Sequence, residues 1–291
     1  MRRRTIVSAL GEGLVDAITW IESPSDGEFM SSGPPPRFRV DDVEFRCRFG
    51  ASHDRLFSIR KDRAGIEAYL EIVQRFRDDN FVELGIASGG SVALTALLAP
   101  PRKLVAFDLA PERVGALDLL VTERGLDERI RLHYGVDQAN QERLAAILED
   151  EFGDEPLGLV IDDASHHLAE TRASFEVLFP RLRPGGLFVI EDWNHQHLVT
   201  RALAAKLGDP SPEELKAGVE RVLADGGRGG PSLIRLVIEL ILINAESDEF
   251  VREVRVDQSG ARVYRGNGKL DPSEFCLSDL IMNDFGLLPA E

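Results

Sequence analysis

Between residues 63 and 192 short apolar runs alternate with amphipathic stretches, and that alternation leaves few folds open. The apolar runs lie at 80–85 (NFVELG), 103–109 (KLVAFDL), 130–136 (IRLHYGV), 157–163 and 186–192, each the length of a strand. Helical periodicity falls between them, at 63–77, from Ser88 to Pro100-Pro101, and at 111–124, 138–152 and 168–182. Strand and helix in strict alternation predict a parallel sheet joined by right-handed crossovers. Further on, Ser211, Pro212 and Glu214 open a helix at 212–224 as a capping box. A helix at 232–246 precedes EFVREVRVDQSGARVYRG, which alternates and turns at Ser259-Gly260 as a hairpin does. The expected fold is α/β: a doubly wound, seven-stranded, mostly parallel sheet with an antiparallel terminal hairpin. Residues 1–58, with the loop-like SPSDGEFMSSGPPPR at 23–37 and one or two short strands after it, read as an extension. Residues 59–291 read as the main domain, with an insertion at 194–230.

Bulk properties narrow the function. A net charge of −16 excludes a phosphate backbone as partner, because such binding needs a basic face. Cys47 and Cys276 stand far apart and build no disulfide framework or zinc motif, which suits a reducing cytoplasm. Glu12 and Asp16 interrupt what would be the apolar part of a signal peptide. The apolar 233–243 stretch carries Arg235 and Glu239 and is too short to span a bilayer. No membrane or nucleic-acid partner is expected; that helix and the N-terminal extension are candidate contacts for a homo-oligomer.

In open sheets of this kind ligands sit at the carboxyl ends of the strands. The first such end is VELGIASGGS, with Glu83, Gly85, Gly89, Gly90 and Ser91. Its G-x-x-x-G-G spacing differs from the G-x-G-x-x-G of a dinucleotide site, which disfavours a nicotinamide oxidoreductase. Asp108 ends the next strand, where a carboxylate can accept from two ribose hydroxyls. The competing reading gives the glycines to helix–strand packing and Asp108 to capping.

The fourth and fifth runs end in DDASHH and EDWNHQH. Neighbouring parallel strands lie ~4.8 Å apart, so with level ends Asp163, Glu191 and Asp192 converge. Carboxylates that close repel and raise one another's pKa unless a cation lies between them. Hard oxygen ligands suit Mg²⁺; zinc would call for more nitrogen, for which His166 or His167 is at hand. Against this stands the plain alternative of solvated strand ends and helix caps.

E-x-G-x-x-x-G-G followed by an acid on the second strand resembles the cofactor site of the class I S-adenosylmethionine-dependent methyltransferases, whose Rossmann-like sheet ends in a similar hairpin. DDASHH…LFPRLRPGGLFVIEDW is similar to the D-D-G-S-H and I-E-D motifs of the mycinamicin-type macrolide-sugar O-methyltransferases, and a related pattern occurs in cephalosporin-hydroxylase-like proteins. The resemblance covers roughly residues 60–193. It departs at Ala164, where the family often has Gly. It implies cofactor contacts at Glu83, Gly85, Gly89, Gly90, Ser91, Asp108, Asp137, Gln138 and Asp162, metal ligation by Asp163, Glu191 and Asp192, and His166 as catalytic base.

The implied activity is Mg²⁺-dependent transfer of the methyl of S-adenosylmethionine to a hydroxyl of a small molecule, a sugar or natural-product scaffold. An alcohol proton is held about as tightly as that of water, pKa ~15.7, so both a metal and a base near neutrality are useful. His167 is the rival base. His195 and His197 are expected in a surface loop, and Trp193 either lines the acceptor pocket or joins the core. The alternative to an enzyme is an accessory S-adenosylmethionine-binding protein of the cephalosporin-hydroxylase-like kind.

Overall fold

A computed structural model describes residues 17–22, 35–208, 210–225 and 232–281. The loop expected at 23–37 lies outside the described residues except for its last three, as does the part of the expected insertion at 209 and 226–230. Four short strands open the described chain: β1 (Ile18–Glu22), β2 (Arg37–Val40), β3 (Val43–Arg46) and β4 (Leu56–Ser58). The alternation then unfolds as α1 (Arg63–Arg75), β5 (Asn80–Leu84), α2 (Gly90–Leu98), β6 (Lys103–Asp108), α3 (Gly115–Glu123), β7 (Ile130–Tyr134), α4 (Gln141–Phe152), β8 (Leu157–Asp162), α5 (Leu168–Leu178) and β9 (Leu182–Ile190). After these come α6 (His195–Leu207), α7 (Pro212–Asp225), α8 (Ile234–Glu246), β10 (Val251–Val256) and β11 (Ala261–Arg265).

The first four strands form a sheet in sequence order, and the other seven form a mostly parallel sheet in the order β10-β11-β9-β8-β5-β6-β7. The hairpin is antiparallel to β9, with Ala261 opposite Ile190. β8 and β9 run parallel, and Asp162 pairs with Ile190, so their ends are level as the sequence predicts.

Contacts divide the chain into two compact units. One comprises Met1–Phe81, Ile86–Ala106 and Ala110–Tyr134; the other comprises Val82–Gly85, Phe107–Leu109 and Gly135–Glu291. In the first, Phe38 and Phe45 are cross-strand partners with ring centroids 4.8 Å apart, and Phe57 lies 5.8 Å from Phe45. Such pairs add about 0.5–1.5 kcal/mol each beyond their burial. α1 begins where the Asp62 side chain accepts from Gly65 N, and it buries Ile66, Tyr69, Leu70 and Val73 on one face.

In the second unit Phe175 stacks on Phe179 at 4.5 Å and meets Phe188 at 4.8 Å, tying α5 to β9. Glu239 is buried at 2% exposure, yet its carboxylate is held by Arg172 of α5 and by Arg235 Nε at 3.0 Å. A lone carboxylate in that position would carry a large desolvation cost. The capping box is reciprocal: Glu214 N donates to Ser211 Oγ and Ser211 N to Glu214 Oε2.

Three details differ from the pattern read in the sequence. β9 begins at Leu182 rather than 186, because Gly185 (φ 74°) lets the strand run through Pro184-Gly185-Gly186 with a register shift instead of turning. α3 begins at Gly115 rather than 111, after Val114 N has donated to the Tyr134 hydroxyl. Residues 195–207, expected as a loop bearing His195 and His197, form a helix. Not one of its side chains is buried, so it carries no core-facing stripe for periodicity to show.

Candidate active site

The second unit gathers most of the acidic and histidine residues singled out in the sequence. Asp163 follows β8 directly, and Glu191 and Asp192 follow β9. The main chain there is pinned on both sides: Asp163 N donates to Leu84 O and Glu191 N to Asp162 O, each at 2.9 Å. Gly85 makes the first contact possible. A Cβ at Gly85 would lie 2.3 Å from the Asp163 carbonyl oxygen, and its φ of 100° excludes most side chains in any case.

Asp163, His166 and Asp192 converge: one ligand-type atom from each lies within 4.8 Å of the others. His166 Nε2 is 3.9 Å from Asp163 Oδ1 and 3.7 Å from Asp192 Oδ2. These gaps are too long for hydrogen bonds, and they are short enough for an ion held by the two carboxylates to lie beside the ring. The His166 side chain is only 7% exposed, whereas the two carboxylates are 35% and 40% exposed. Charge therefore faces solvent with a neutral-capable ring behind it. Glu191 is half-buried and stands outside this group of three.

The backbone at the cluster is unusual. His166 (φ 59°) and Asp192 (φ 49°) both adopt the left-handed conformation without being glycine, as Asp41 and Asp54 do elsewhere; Asp and His are the side-chain-bearing residues that tolerate it best, with Asn. Conformations of this kind cluster at functional sites. His167 turns away from the cluster: its Nδ1 lies 3.4 Å from Glu170 Oε1, and its Nε2 is buried without a hydrogen-bond partner. Only one of the two adjacent histidines faces the carboxylates, and it is His166. His195, at the start of α6, brings its ring centroid to 6.0 Å from that of His166. His197 is exposed.

Asp162, expected as a cofactor contact, is buried and fully engaged by its neighbours. It is 2% exposed, and it accepts from Gln138 Nε2 and Ser174 Oγ, both at 3.0 Å, and from Ala164 N at 3.3 Å. Burial pushes its carboxyl up to about 7, against the lowering bonds from Ser174, Ala164 and Gln138 and with the charge of Asp163 adding to the rise. Gln138, 7% exposed, uses the other end of its amide to accept from Ser165 N. The pair thus fastens the 137–140 loop to the DDASHH segment. Asp137 is exposed and accepts from Ala139 N at 2.8 Å, while Asn140 caps α4. Asp108 ends β6 half-buried, with Val136 N donating to its carbonyl, and Glu83 is buried within β5 at 1% exposure.

In the first unit, Gly89 (φ 78°) caps α2, and a Cβ on Gly90 would lie 2.3 Å from Ser58 O. Ser91, half-buried, accepts at its carbonyl from the Tyr69 hydroxyl. A side chain at either glycine would meet the protein itself: Leu117 at Gly89 and the Ser58 carbonyl at Gly90. Ala87, two residues before Gly89, is left-handed as well (φ 47°).

The seven-stranded, mostly parallel sheet with its antiparallel terminal hairpin is the α/β architecture that the sequence leads one to expect. Residues 82–193 match a family model described as a methyltransferase domain. The mycinamicin VI 2''-O-methyltransferase of Micromonospora griseorubida is 44% identical over 80 residues, 28% of this chain and 19% of that protein. The 8-demethyl-8-alpha-L-rhamnosyl tetracenomycin-C 2'-O-methyltransferase of Streptomyces olivaceus is 30% identical over 144 residues, 45% of this chain and 34% of that one. The matched stretches thus span at most about a third of these two relatives. Among solved structures, the MycE methyltransferase of the mycinamycin pathway with Mg and SAH aligns at 24% identity and a TM-score of 0.48, over 70% of this chain and 50% of that one. Among the described residues no helix is long and apolar enough to cross a membrane.

Proposed function

We propose that the chain is a Mg²⁺-dependent O-methyltransferase that moves the methyl of S-adenosylmethionine to a hydroxyl of a small molecule, a sugar or natural-product scaffold. The observation that carries this reading is the convergence of Asp163 and Asp192 on His166 at distances that suit a shared cation. The methyltransferase-domain match over 82–193 and the named O-methyltransferase relatives support it.

The donor set fits a hard divalent ion, because two carboxylates supply oxygen and their partial exposure leaves room for water and acceptor. Asp163 and Asp192 would hold Mg²⁺, with Glu191 as the third carboxylate. Bound there, the ion supplies charge that stabilises a developing alkoxide. His166 takes the proton of the acceptor hydroxyl at Nε2; its buried ring and fixed backbone keep that atom aimed at the carboxylates. The donor contacts that the resemblance implies are Glu83, Gly85, Asp108, Asp137, Gln138 and Asp162 in the second unit and, in the first, Gly89, Gly90 and Ser91.

His166→Ala is expected to lower turnover at least 100-fold while leaving S-adenosylhomocysteine affinity, measured by calorimetry, within twofold. Chelator is expected to stop methyl transfer and added Mg²⁺ to restore it. Undiminished transfer by His166→Ala in chelator would overturn the mechanism. Donor binding with no transfer across a broad panel of hydroxyl acceptors would favour an accessory protein.

A further inference from the structure

We infer that Trp193 is a positioning residue: through the turn of the β10–β11 hairpin it braces Asp192 in the conformation that serves the metal cluster. The inference rests on the metal reading above and extends it to residues outside the cluster. Trp193 follows Asp192 directly, and its indole Nε1–H donates to the Asp257 carbonyl at 2.9 Å.

That carbonyl belongs to a turn built to stay still. Asp257 N donates to Gly260 O at 3.1 Å and closes the turn. The Asp257 carboxylate accepts from Ser259 N at 2.8 Å, Ser259 Oγ at 2.5 Å, Gly260 N at 3.2 Å and Arg262 Nη1 at 2.5 Å. The turn is also laid against the end of β9: Ala261 pairs with Ile190, and a Cβ on Gly260 would meet Ile190 O at 3.2 Å. The metal-bearing end of β9 and the hairpin turn thus touch twice, once through the sheet and once through the indole.

Asp192 is left-handed (φ 49°), a conformation that Asp visits more readily than most residues but that its neighbours still have to select. Two main-chain bonds contribute, Glu191 N to Asp162 O and His195 N to Asp192 O at 2.8 Å. Trp193 adds a side-chain tether on the far side of Asp192. With the tether gone, the 191–195 segment can relax toward ordinary backbone angles, and the Asp192 carboxylate leaves its place opposite Asp163.

Trp193→Phe removes the donor and keeps most of the ring, so the fold is preserved. Calorimetric titration of the full chain with Mg²⁺ is expected to show at least fivefold weaker binding in this variant, with S-adenosylhomocysteine affinity within twofold of wild type. Asp257→Ala, which loosens the same turn, is expected to cause a similar loss, and the double variant no more than either alone, because both act through one contact. Unchanged Mg²⁺ affinity in Trp193→Phe, additive losses in the cycle, or a parallel fall in donor affinity and melting temperature would each overturn the brace. A wild-type chain that binds the donor and no Mg²⁺ would instead remove the metal reading, and the brace with it.

Discussion

The glycine turn and the acidic strand tips both leave the ordinary regions of backbone space, for opposite physical reasons. At the turn, the left-handed positions are Gly85, Ala87 and Gly89, two of the three without a side chain, and at Gly85 a side chain would strike the Asp163 carbonyl; Gly90, in ordinary helical conformation, is confined by the Ser58 carbonyl instead. At the tips, His166 and Asp192 keep their side chains in a left-handed conformation that glycine would adopt more cheaply. The first region is shaped by packing and the second by the groups it must present. Glycines in a ligand-binding turn are readily assigned to the ligand alone, but here Gly85 also sets the height of Asp163.

The comparison breaks most severely at Gly85. Gly85→Ala places a Cβ 2.3 Å from the carbonyl oxygen of Asp163, whose own N–H is bonded to Leu84 O next to Gly85, so neither partner can move cheaply. A loss of about 3 kcal/mol or more is expected in chemical denaturation, with Mg²⁺ binding lost beyond the change in stability because Asp163 moves. A stable variant with normal Mg²⁺ affinity would separate the turn from the tips.

Next in size is the pH dependence of Asp162, which joins the 137–140 loop to the tips. Its folded pKa, about 7, lies above the unfolded value of about 3.9. Over that interval the folded chain keeps a proton that the unfolded chain releases. The free energy of unfolding from this group therefore falls as pH rises through the interval and levels off above it, a loss of at most about 4 kcal/mol. Asp162→Asn removes the group, so the difference in stability between variant and wild type, measured in chelator, should shift in favour of the variant from pH 4 to pH 8. A difference that is flat with pH would mean that Asp162 stays ionised in the fold.

These two regions were unequally legible in the sequence. Periodicity revealed the strands because β5, β8 and most of β9 are buried on both faces. Level neighbouring strands brought Asp163 and Asp192 together, while Glu191, expected with them, stands outside the group. Ser211 with Glu214, and Ser259-Gly260, announced a cap and a turn through local chemistry alone. α6 was hidden because its Leu198 and Leu207 are exposed, at 47% and 52%, and so give no inward stripe. Its N-terminus brings His195 beside His166, and the H-x-H at 195–197 was the only trace of it in the sequence. The left-handed angles at His166 and Asp192 left none, because backbone strain depends on tertiary contacts such as the Trp193 tether.

The smallest expected effect draws the finest line between packing and chemistry. Asp192→Asn keeps the size of the side chain, tolerates the left-handed region better than most residues, and removes one of two carboxylates that repel across the cluster. In chelator the variant should be as stable as wild type or gain up to about 1 kcal/mol. Its affinity for Mg²⁺ should nevertheless fall at least tenfold, because a neutral amide oxygen replaces a charged ligand. A gain in stability coupled to a loss of metal is the signature of a residue kept for chemistry at the expense of the fold. Were Asp192→Asn instead to destabilise the chain in chelator, Asp192 would belong with Gly85 among the residues that hold the strand tips together, and the contrast between the two regions would disappear.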